Sequence, residues 1–274
     1  MKYGKIFPRT FLFYSSLVYL IMLIGLAVTA PFIVPCDPVE QNLSLRFTPP
    51  GKEFPLGSDD FGRDVLSRII YGSRPTLLVG FISVLAALVL GVLTGLTAGL
   101  ANSWLDNLLM LMMDSILSFP TVLLAITVVS FLGYGSVQVM LTLGTIYSPI
   151  FARLVRAETL VIKTEIFVEA SRSLGSGTFK IVLRHIIPNL LGKLVVQCSI
   201  TFAMAVVVEA ALSYLGLGTQ PPNPSWGLML KDARNYLMQA PWMAVYPGLI
   251  LALTVLFSNL LGDILAEQIN PKVE

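Results

Sequence analysis

The chain has 274 residues, of which 55% are hydrophobic and only 12% are charged, and its formal net charge is +2. This composition is more apolar than that of a typical soluble domain, which must expose part of its surface to water, so the chain is predicted to be a membrane protein. A weak net charge without a basic face argues against a nucleic-acid partner. The two cysteines, Cys36 and Cys198, lie far apart in the sequence, which indicates neither a disulfide framework nor a thiolate metal site.

Six apolar stretches are long enough to cross a bilayer as helices, each of which needs about 20 residues. They lie near residues 11–34, 77–100, 108–131, 137–155, 190–212 and 244–262. The first could be read as a signal peptide, but it is longer than a signal-peptide core, and Pro31 would hinder cleavage after Ala30. The fourth is interrupted by Gly144 and Pro149, which membrane helices tolerate. We therefore predict an all-α membrane protein with six transmembrane helices.

Lysine and arginine residues in the connecting segments predict the orientation, because positive charge is retained on the cytoplasmic side. With the N-terminus inside, the inner segments hold eleven of the 18 lysine and arginine residues and the outer segments hold seven. The outer segment 36–76 also carries several acidic residues. Both termini are therefore predicted to be cytoplasmic.

Two outer segments are long enough to have structure of their own. Residues Asp60–Tyr71 show apolar side chains at helical spacing, which predicts a short amphipathic helix on the outer surface, capped by Asp59 or Asp60. Residues Gly216–Trp226 contain three prolines and cannot form a regular helix, so we expect them to pack over the outer mouth of the protein. Three aromatic residues in this region are expected mainly as membrane-interface anchors: Trp226, Tyr236 and Trp242.

The inner segment 156–189 is longer than a connection between two spans requires. A helix that carries Glu169 and Ala170 is predicted to end at Gly175, and a second helix is predicted to start near Thr178 and to lead to Pro188. The result is a charged helix-turn-helix on the cytoplasmic side. A partner surface explains its size, although a solvated amphipathic loop stays open as an alternative.

Acidic residues at membrane depth are costly unless they are paired or face water, so each is a candidate functional residue. Asp114 lies about two turns into the third span, and Glu209 lies near the outer end of the fifth. Each either lines a pathway or forms structural hydrogen bonds to a neighbouring helix or loop. A third acid, Asp263, lies at the inner end of the last span and is expected at the interface.

The inner segment resembles the cytoplasmic coupling loop of binding-protein-dependent ABC importer permeases. Glu169, Ala170, Gly175, Ile187 and Pro188 match the pattern of that family. Two further positions differ from the general pattern: Ser171 stands for the usual alanine, and His185 stands where an apolar residue is usual. In the family, this loop sits in a cleft of the ATPase subunit.

Two outer segments are similar to signatures of the second permease subunit of dipeptide, oligopeptide and nickel importers. They are Pro55–Arg68 and Leu212–Gly227. The resemblance implies a type I permease fold with an N-terminal segment at 1–76, a permease domain at 77–264 and a cytoplasmic tail at 265–274. It also implies these partners: a second permease, two ATPase subunits, an extracytoplasmic solute-binding protein and membrane lipid. The candidate pathway or gating residues are Glu209, Asp114, Gln220 and Trp226, and contact with the binding protein is a further possibility for the outer aromatic residues.

The chain is not expected to hydrolyse ATP, because Gly175–Lys180 and Gly192-Lys193 lack the spacing of a phosphate-binding loop. ATP and magnesium would be bound by the ATPase partners, and no cofactor, catalytic or metal-binding residue is assigned here. The single histidine, His185, is expected to be structural. Short peptides are the expected cargo, with nickel or a metal chelate next. An ion-coupled transporter or channel, in which Asp114 and Glu209 form a relay, is the competing class, and a lipid-directed membrane enzyme is the remote third.

Overall fold

The computed structural model describes residues 9–269, and this part of the chain contains ten α-helices and no β-strand. In chain order the helices are α1 (Arg9–Ile33), α2 (Val65–Leu100), α3 (Ser103–Leu117), α4 (Thr121–Leu132), α5 (Ser136–Ile162), α6 (Ile166–Ser173), α7 (Thr178–Ile181), α8 (Ile187–Tyr214), α9 (Trp226–Ala233) and α10 (Trp242–Ile269). Five helical segments are long and apolar enough to cross a membrane, and the bent pair α3–α4 makes a sixth if it is one span. The predicted all-helical class is confirmed. Residues 1–8 and the end of the predicted tail, 270–274, lie outside the described residues.

The predicted third span, 108–131, is not one continuous helix. The chain bends by 93° between α3 and α4. Pro120 explains the break, because the residue before a proline is disfavoured in the α conformation and proline itself has no amide hydrogen to donate. Ser118 closes the end of α3 by donating its hydroxyl to the Asp114 carbonyl at 2.8 Å. Helix α4 then begins without a side-chain cap.

The prediction of a short amphipathic helix at Asp60–Tyr71 is also wrong, both in the bounds of the helix and in its position. Helix α2 begins at Val65, where the Asp64 carboxylate accepts a hydrogen bond from the Ser67 amide at 2.9 Å, and it continues through Pro75 to Leu100. The apolar face of its first turns does not lie on the outer surface. It packs instead against α9 and the start of α10 in a small outer cluster of buried residues.

Long apolar helices cover the other five predicted spans, and each helix begins before the predicted start, ends after the predicted end, or does both. Helix α5 passes through Pro149 and continues to Ile162, so the inner connection starts about two turns later than predicted. Helix α8 is preceded by a π-helical stretch, Val182–Ile186, that joins it to α7. The hairpin that contains α6 and α7 is therefore continuous with the span that follows it.

Helices α2 and α5 form the most extensive helix pair, and glycines make their close approach possible. Gly91, Gly95 and Gly99 lie one turn apart on α2 and face α5. A Cβ atom added at Gly95 would lie 2.6 Å from the Ala152 carbonyl oxygen, which no real Cβ tolerates. In membranes such small residues let two helix backbones pack directly against each other.

Candidate coupling segment and outer network

The helical hairpin between α5 and α8, residues 166–188, is called the coupling segment here. Its first helix, α6, ends in a complete Schellman motif: the Ser176 amide donates to the Ser171 carbonyl at 3.1 Å, and the Gly175 amide donates to the Arg172 carbonyl at 2.9 Å. Gly175 has a φ of +83°, a conformation that glycine adopts without the penalty other residues carry. The predicted stop of the helix at this glycine is confirmed.

Few side chains of the coupling segment pack against the rest of the protein, and most of its apolar side chains are exposed. Val168, Ile181 and Ile186 are buried and hold it against the core. Several other apolar side chains are exposed: Ile166, Phe167, Leu174, Phe179 and Leu183, with Leu174 87% exposed at the turn. Exposed apolar side chains clustered around one turn are typical of a protein interaction site.

The predicted coupling residues lie around this turn. Glu169, Ala170 and Gly175 are exposed, and Ser171 is partly buried. At the other end of the segment, the Ile187 amide donates to the Val182 carbonyl, one residue further back than in an α-helix. Pro188 explains the change of register, because it lacks the amide that an α-helical turn would use.

His185 has a structural role, as expected. Its ring lies 5.6 Å from the Phe167 ring, and its backbone carbonyl accepts a hydrogen bond from the Asn189 side chain at 2.6 Å. The ring contact connects α6 to the π-helical stretch that leads into α8.

The candidate pathway residues Glu209 and Trp226 belong to a buried hydrogen-bond network beneath the irregular segment 216–225. Glu209 is 1% exposed, and one of its carboxylate oxygens accepts from the Ser213 hydroxyl at 2.7 Å. The same hydroxyl accepts from the Thr219 amide at 3.1 Å. Thr219 also pairs with Ser136 at the start of α5, with 3.2 Å between the hydroxyl oxygens. These contacts fix the segment to α8 and α5.

Trp226 does not lie at a membrane interface, so its predicted anchor position is wrong. It is fully buried, and its indole N–H donates to the Ile69 carbonyl of α2 at 3.1 Å. Its amide donates to the Thr76 hydroxyl at 3.4 Å. A buried tryptophan needs a partner for its N–H, and the outer end of α2 supplies one here. Residues 216–225 are irregular, as predicted.

Gln220 and the two remaining outer aromatic residues bond within the protein. The side-chain Nε2 of Gln220 donates hydrogen bonds to the Gly216 and Gly218 carbonyls, each at 2.9 Å, and so closes the turn in which Gln220 lies. The Trp242 indole donates to the Ser58 carbonyl at 3.0 Å, and the Tyr236 ring lies 4.9 Å from that of Phe47. Contact with the membrane or a partner remains a prediction for these residues.

Comparison with known proteins identifies the family. The family described as "binding-protein-dependent transport system inner membrane component" matches residues 87–274, which include the coupling segment and both Glu209 and Trp226. This chain belongs to that family. The family membership predicted from the motifs is confirmed, and the permease is accordingly an inner membrane component of an ABC transporter.

Curated relatives cover nearly the whole permease. It is 39% identical over 259 residues to the dipeptide transport system permease protein DppC of Alkalihalophilus pseudofirmus, covering 94% of this chain and 85% of that protein. It is 38% identical over 274 residues to the glutathione transport system permease protein GsiD of Pectobacterium atrosepticum, covering 100% and 91%. An inward-facing structure of the MetNI methionine ABC transporter is similar in fold, with a TM-score of 0.61, 23% identity, and coverage of 75% of this chain and 97% of that chain.

Two ion pairs connect α3 to α5 in the permease, and one of them involves the predicted candidate Asp114. The Arg153 guanidinium lies 2.5 Å from the Asp114 carboxylate, and both side chains are about half exposed. One turn further along α5, Arg156 forms a bidentate pair with Asp106 at 2.5 and 2.7 Å. Charged side chains in such helices face water or other protein groups rather than lipid.

Sequence reasoning missed a cluster of buried charges beneath the outer surface. Arg68 is 1% exposed, its Nε lies 3.4 Å from Asp59, and its Nη2 lies 3.8 Å from Asp232 of α9. Arg63 lies 2.6 Å from Asp59 and 3.7 Å from Asp232. The cluster ties α9 to the segment before α2. The alternation of aspartate and arginine in 59–68 could have indicated it.

Burial and neighbouring charges disturb the acids of this cluster. Burial raises the pKa of Asp60 above its ordinary value, and the charges of Asp59 and Asp232 act in the same direction. Burial likewise raises the pKa of Asp232, although Arg68 and Arg63 oppose that shift. These two carboxylates therefore lie in an environment that favours the charged form less than water does.

Proposed function

We propose that this chain is one of two permease subunits that together form the pathway of an ATP-driven importer for short peptides. The observation that carries the proposal is the coupling segment, whose Schellman turn presents exposed apolar side chains around Gly175. Relatives named for dipeptide and glutathione transport favour a peptide cargo over nickel or a metal chelate.

The coupling segment is the proposed docking site for an ATPase subunit. Glu169, Ala170, Ser171 and Gly175 form the docking turn, and Ile187 and Pro188 join it to α8. ATP and magnesium would bind to two such ATPase subunits. If α3 and α4 together form one span, six spans place the two ends of the described chain on the same side, and that side is the cytoplasm if the coupling segment meets an ATPase there. A solute-binding protein would deliver the peptide at the opposite face.

Alternating access is the proposed mechanism. Closure of the ATPases displaces α6, and the attached spans carry the displacement to the outer network around Glu209 and Trp226. Switching a pathway between two states from 1:99 to 99:1 requires about 5.5 kcal/mol of differential binding, which ATP binding can supply. Asp114 and Gln220 remain candidate pathway residues within this scheme.

Reconstitution of the whole importer in proteoliposomes tests the proposal. Uptake of a dipeptide library should require ATP and the binding protein. Glu169→Lys should abolish uptake and binding-protein-stimulated ATP hydrolysis because it alters the docking turn, while Glu53→Lys, which makes the same change on the exposed outer surface, should leave both unchanged. Gly175→Pro should act like Glu169→Lys, because proline cannot adopt the positive φ.

Two results would contradict the proposal. Uptake that persists without ATP under an imposed proton gradient would indicate an ion-coupled transporter instead. Normal uptake by both coupling-segment variants would show that the ATPase does not dock there.

A further inference from the structure

A groove of about 410 Å³ lies between α1, α2, α8 and α10, all of which are long and apolar enough to span a membrane. No charged side chain is among the described residues that line it. Two of its lining residues, Leu23 and Val84, are buried, whereas Ile24, Phe81 and Leu85 are about half exposed. The groove is therefore open on one side, and in a membrane that side faces lipid or a partner subunit.

The dimensions of the groove fit one hydrocarbon chain. It extends along α2 from Leu77 to Leu88, which is about 16 Å of helix. This length is close to the depth of one leaflet, which is half of a hydrocarbon core roughly 30 Å thick. Averaged over that length, the volume gives a cross-section of about 25 Å², whereas a helix about 10 Å wide needs roughly 80 Å². A helix of a partner subunit is therefore too wide to fill the groove.

A cation without a protein partner lies one turn beyond the groove. The exposed Arg74 precedes Leu77 by three residues and Phe81 by seven, so these three residues lie on one face of α2. Within residues 9–269 the Arg74 guanidinium has no hydrogen bond or ion pair, and it lies 5.4 Å from the centre of the Tyr71 ring, towards the start of α2. Long basic side chains near the ends of membrane spans extend in this way to the headgroup level, where tyrosine is also common.

We propose that this groove is a binding site for a membrane phospholipid, with one acyl chain in the groove and the phosphate on Arg74. The guanidinium donates charge-assisted hydrogen bonds to the phosphate oxygens. The acyl chain fills space that the side chains of the four helices leave open, and it gains dispersion contacts on several sides at once. The site lies apart from the coupling segment, and its ligand is not the cargo.

Cross-linking tests the site in the full-length permease, purified in detergent together with its partner subunits. The probe is a phosphatidylcholine that carries a diazirine in one acyl chain. After irradiation, mass spectrometry should locate cross-links at residues that line the groove, such as Leu20, Phe81 and Phe202. Unlabelled phosphatidylcholine should displace the probe at a several-fold lower concentration than diacylglycerol with the same chains, because only phosphatidylcholine offers a phosphate to Arg74.

Two variants, each with a matched control, separate the phosphate contact from the groove. Arg74→Gln should remove the difference between the two competitors, whereas Arg46→Gln should keep it, because Arg46 is also an exposed arginine over an aromatic ring. Leu85→Trp narrows the groove and should reduce cross-linking there several-fold. Leu93→Trp makes the same change on α2 at a 59% exposed position that does not line the groove, and it should leave cross-linking unchanged.

Four results would overturn the proposal. Equal displacement by both competitors in the wild type, or an unchanged difference in Arg74→Gln, would exclude a phosphate on Arg74. Equally strong cross-links at exposed apolar side chains elsewhere, such as Phe131, would indicate only the lipid that surrounds any membrane protein. Cross-links that appear in the isolated permease but not in the complex would show that a partner subunit covers the groove. If Leu85→Trp does not assemble, the two arginine variants decide. None of these measurements depends on uptake, so the site stands or fails separately from the proposed function.

Discussion

Gly95 on α2 lies where the backbones of α2 and α5 are too close for any side chain. The Cβ atom of Gly95→Ala would lie 2.6 Å from the Ala152 carbonyl oxygen and 2.7 Å from the Val155 Cβ. Neither atom can be moved by rotating a side chain, so the two helices must separate by several tenths of an ångström. Overpacking of this kind costs about 1–3 kcal/mol.

Gly25→Ala on α1 is the matched control, because a Cβ there has no neighbour within 4 Å. Each substitution gains about 0.5–1 kcal/mol of helix propensity, so the difference between the two variants isolates the overpacking. We expect Gly95→Ala to be less stable than Gly25→Ala by about 1–3 kcal/mol in denaturant unfolding of the purified protein in detergent. Equal stability of the two variants would refute the reasoning.

Three further predictions concern side chains outside the coupling segment. Trp226→Phe loses the bond to the Ile69 carbonyl and should lower the free energy of unfolding by about 1 kcal/mol; an unchanged value would contradict the network described here. Because burial raises the pKa of Asp60, the folded state binds a proton at this carboxylate more tightly than the unfolded state does. The stability that this tighter proton binding contributes is lost as the pH rises through the raised pKa. Asp60→Asn should therefore gain stability over wild type at neutral pH, and denaturant unfolding should show the gain disappear near about pH 4. Arg156→Gln should destabilise the protein more in the wild type than in an Asp106→Asn background, and additive effects in this double-mutant cycle would contradict the ion pair.

Five of the membrane spans and the helix-turn-helix of the coupling segment could be predicted because both depend on local signals. Apolar length determines a membrane span almost alone, and the glycine and proline in the coupling segment act within one or two turns. Gly175 ends α6 and Pro188 changes the register before α8, each through its own backbone. Such effects need no knowledge of distant residues.

The outer layer could not be predicted because its structure depends on contacts between segments far apart in sequence. Tryptophan is a residue type typical of interface anchors. Trp226 is buried instead, and α2 supplies a carbonyl and a hydroxyl that accept hydrogen bonds from its indole and its amide. The helix expected at Asp60–Tyr71 has the right apolar spacing, but spacing does not reveal that α9 covers that face. Arg68 looks like an ordinary surface cation until Asp232 is placed beside it. In each case the deciding partner lies more than about 100 residues away.

Helix α5 reaches from the outer network to a three-residue turn, 163–165, that leads into the coupling segment. It has 27 residues and so spans roughly 40 Å, with α6 beginning shortly after its inner end and Ser136 bonded to Thr219 at its outer end. Gly91, Gly95 and Gly99 of α2 pack directly against α5, and α2 also carries the Thr76 hydroxyl that accepts a hydrogen bond from the Trp226 amide. A displacement of α6 would reach the segment 216–225 through α5 and through α2, which packs directly against α5. We infer that coupling in this permease depends on the rigidity of the α2–α5 pair, so a variant that loosens the pair should uncouple ATP hydrolysis from uptake even when the coupling segment still binds its partner.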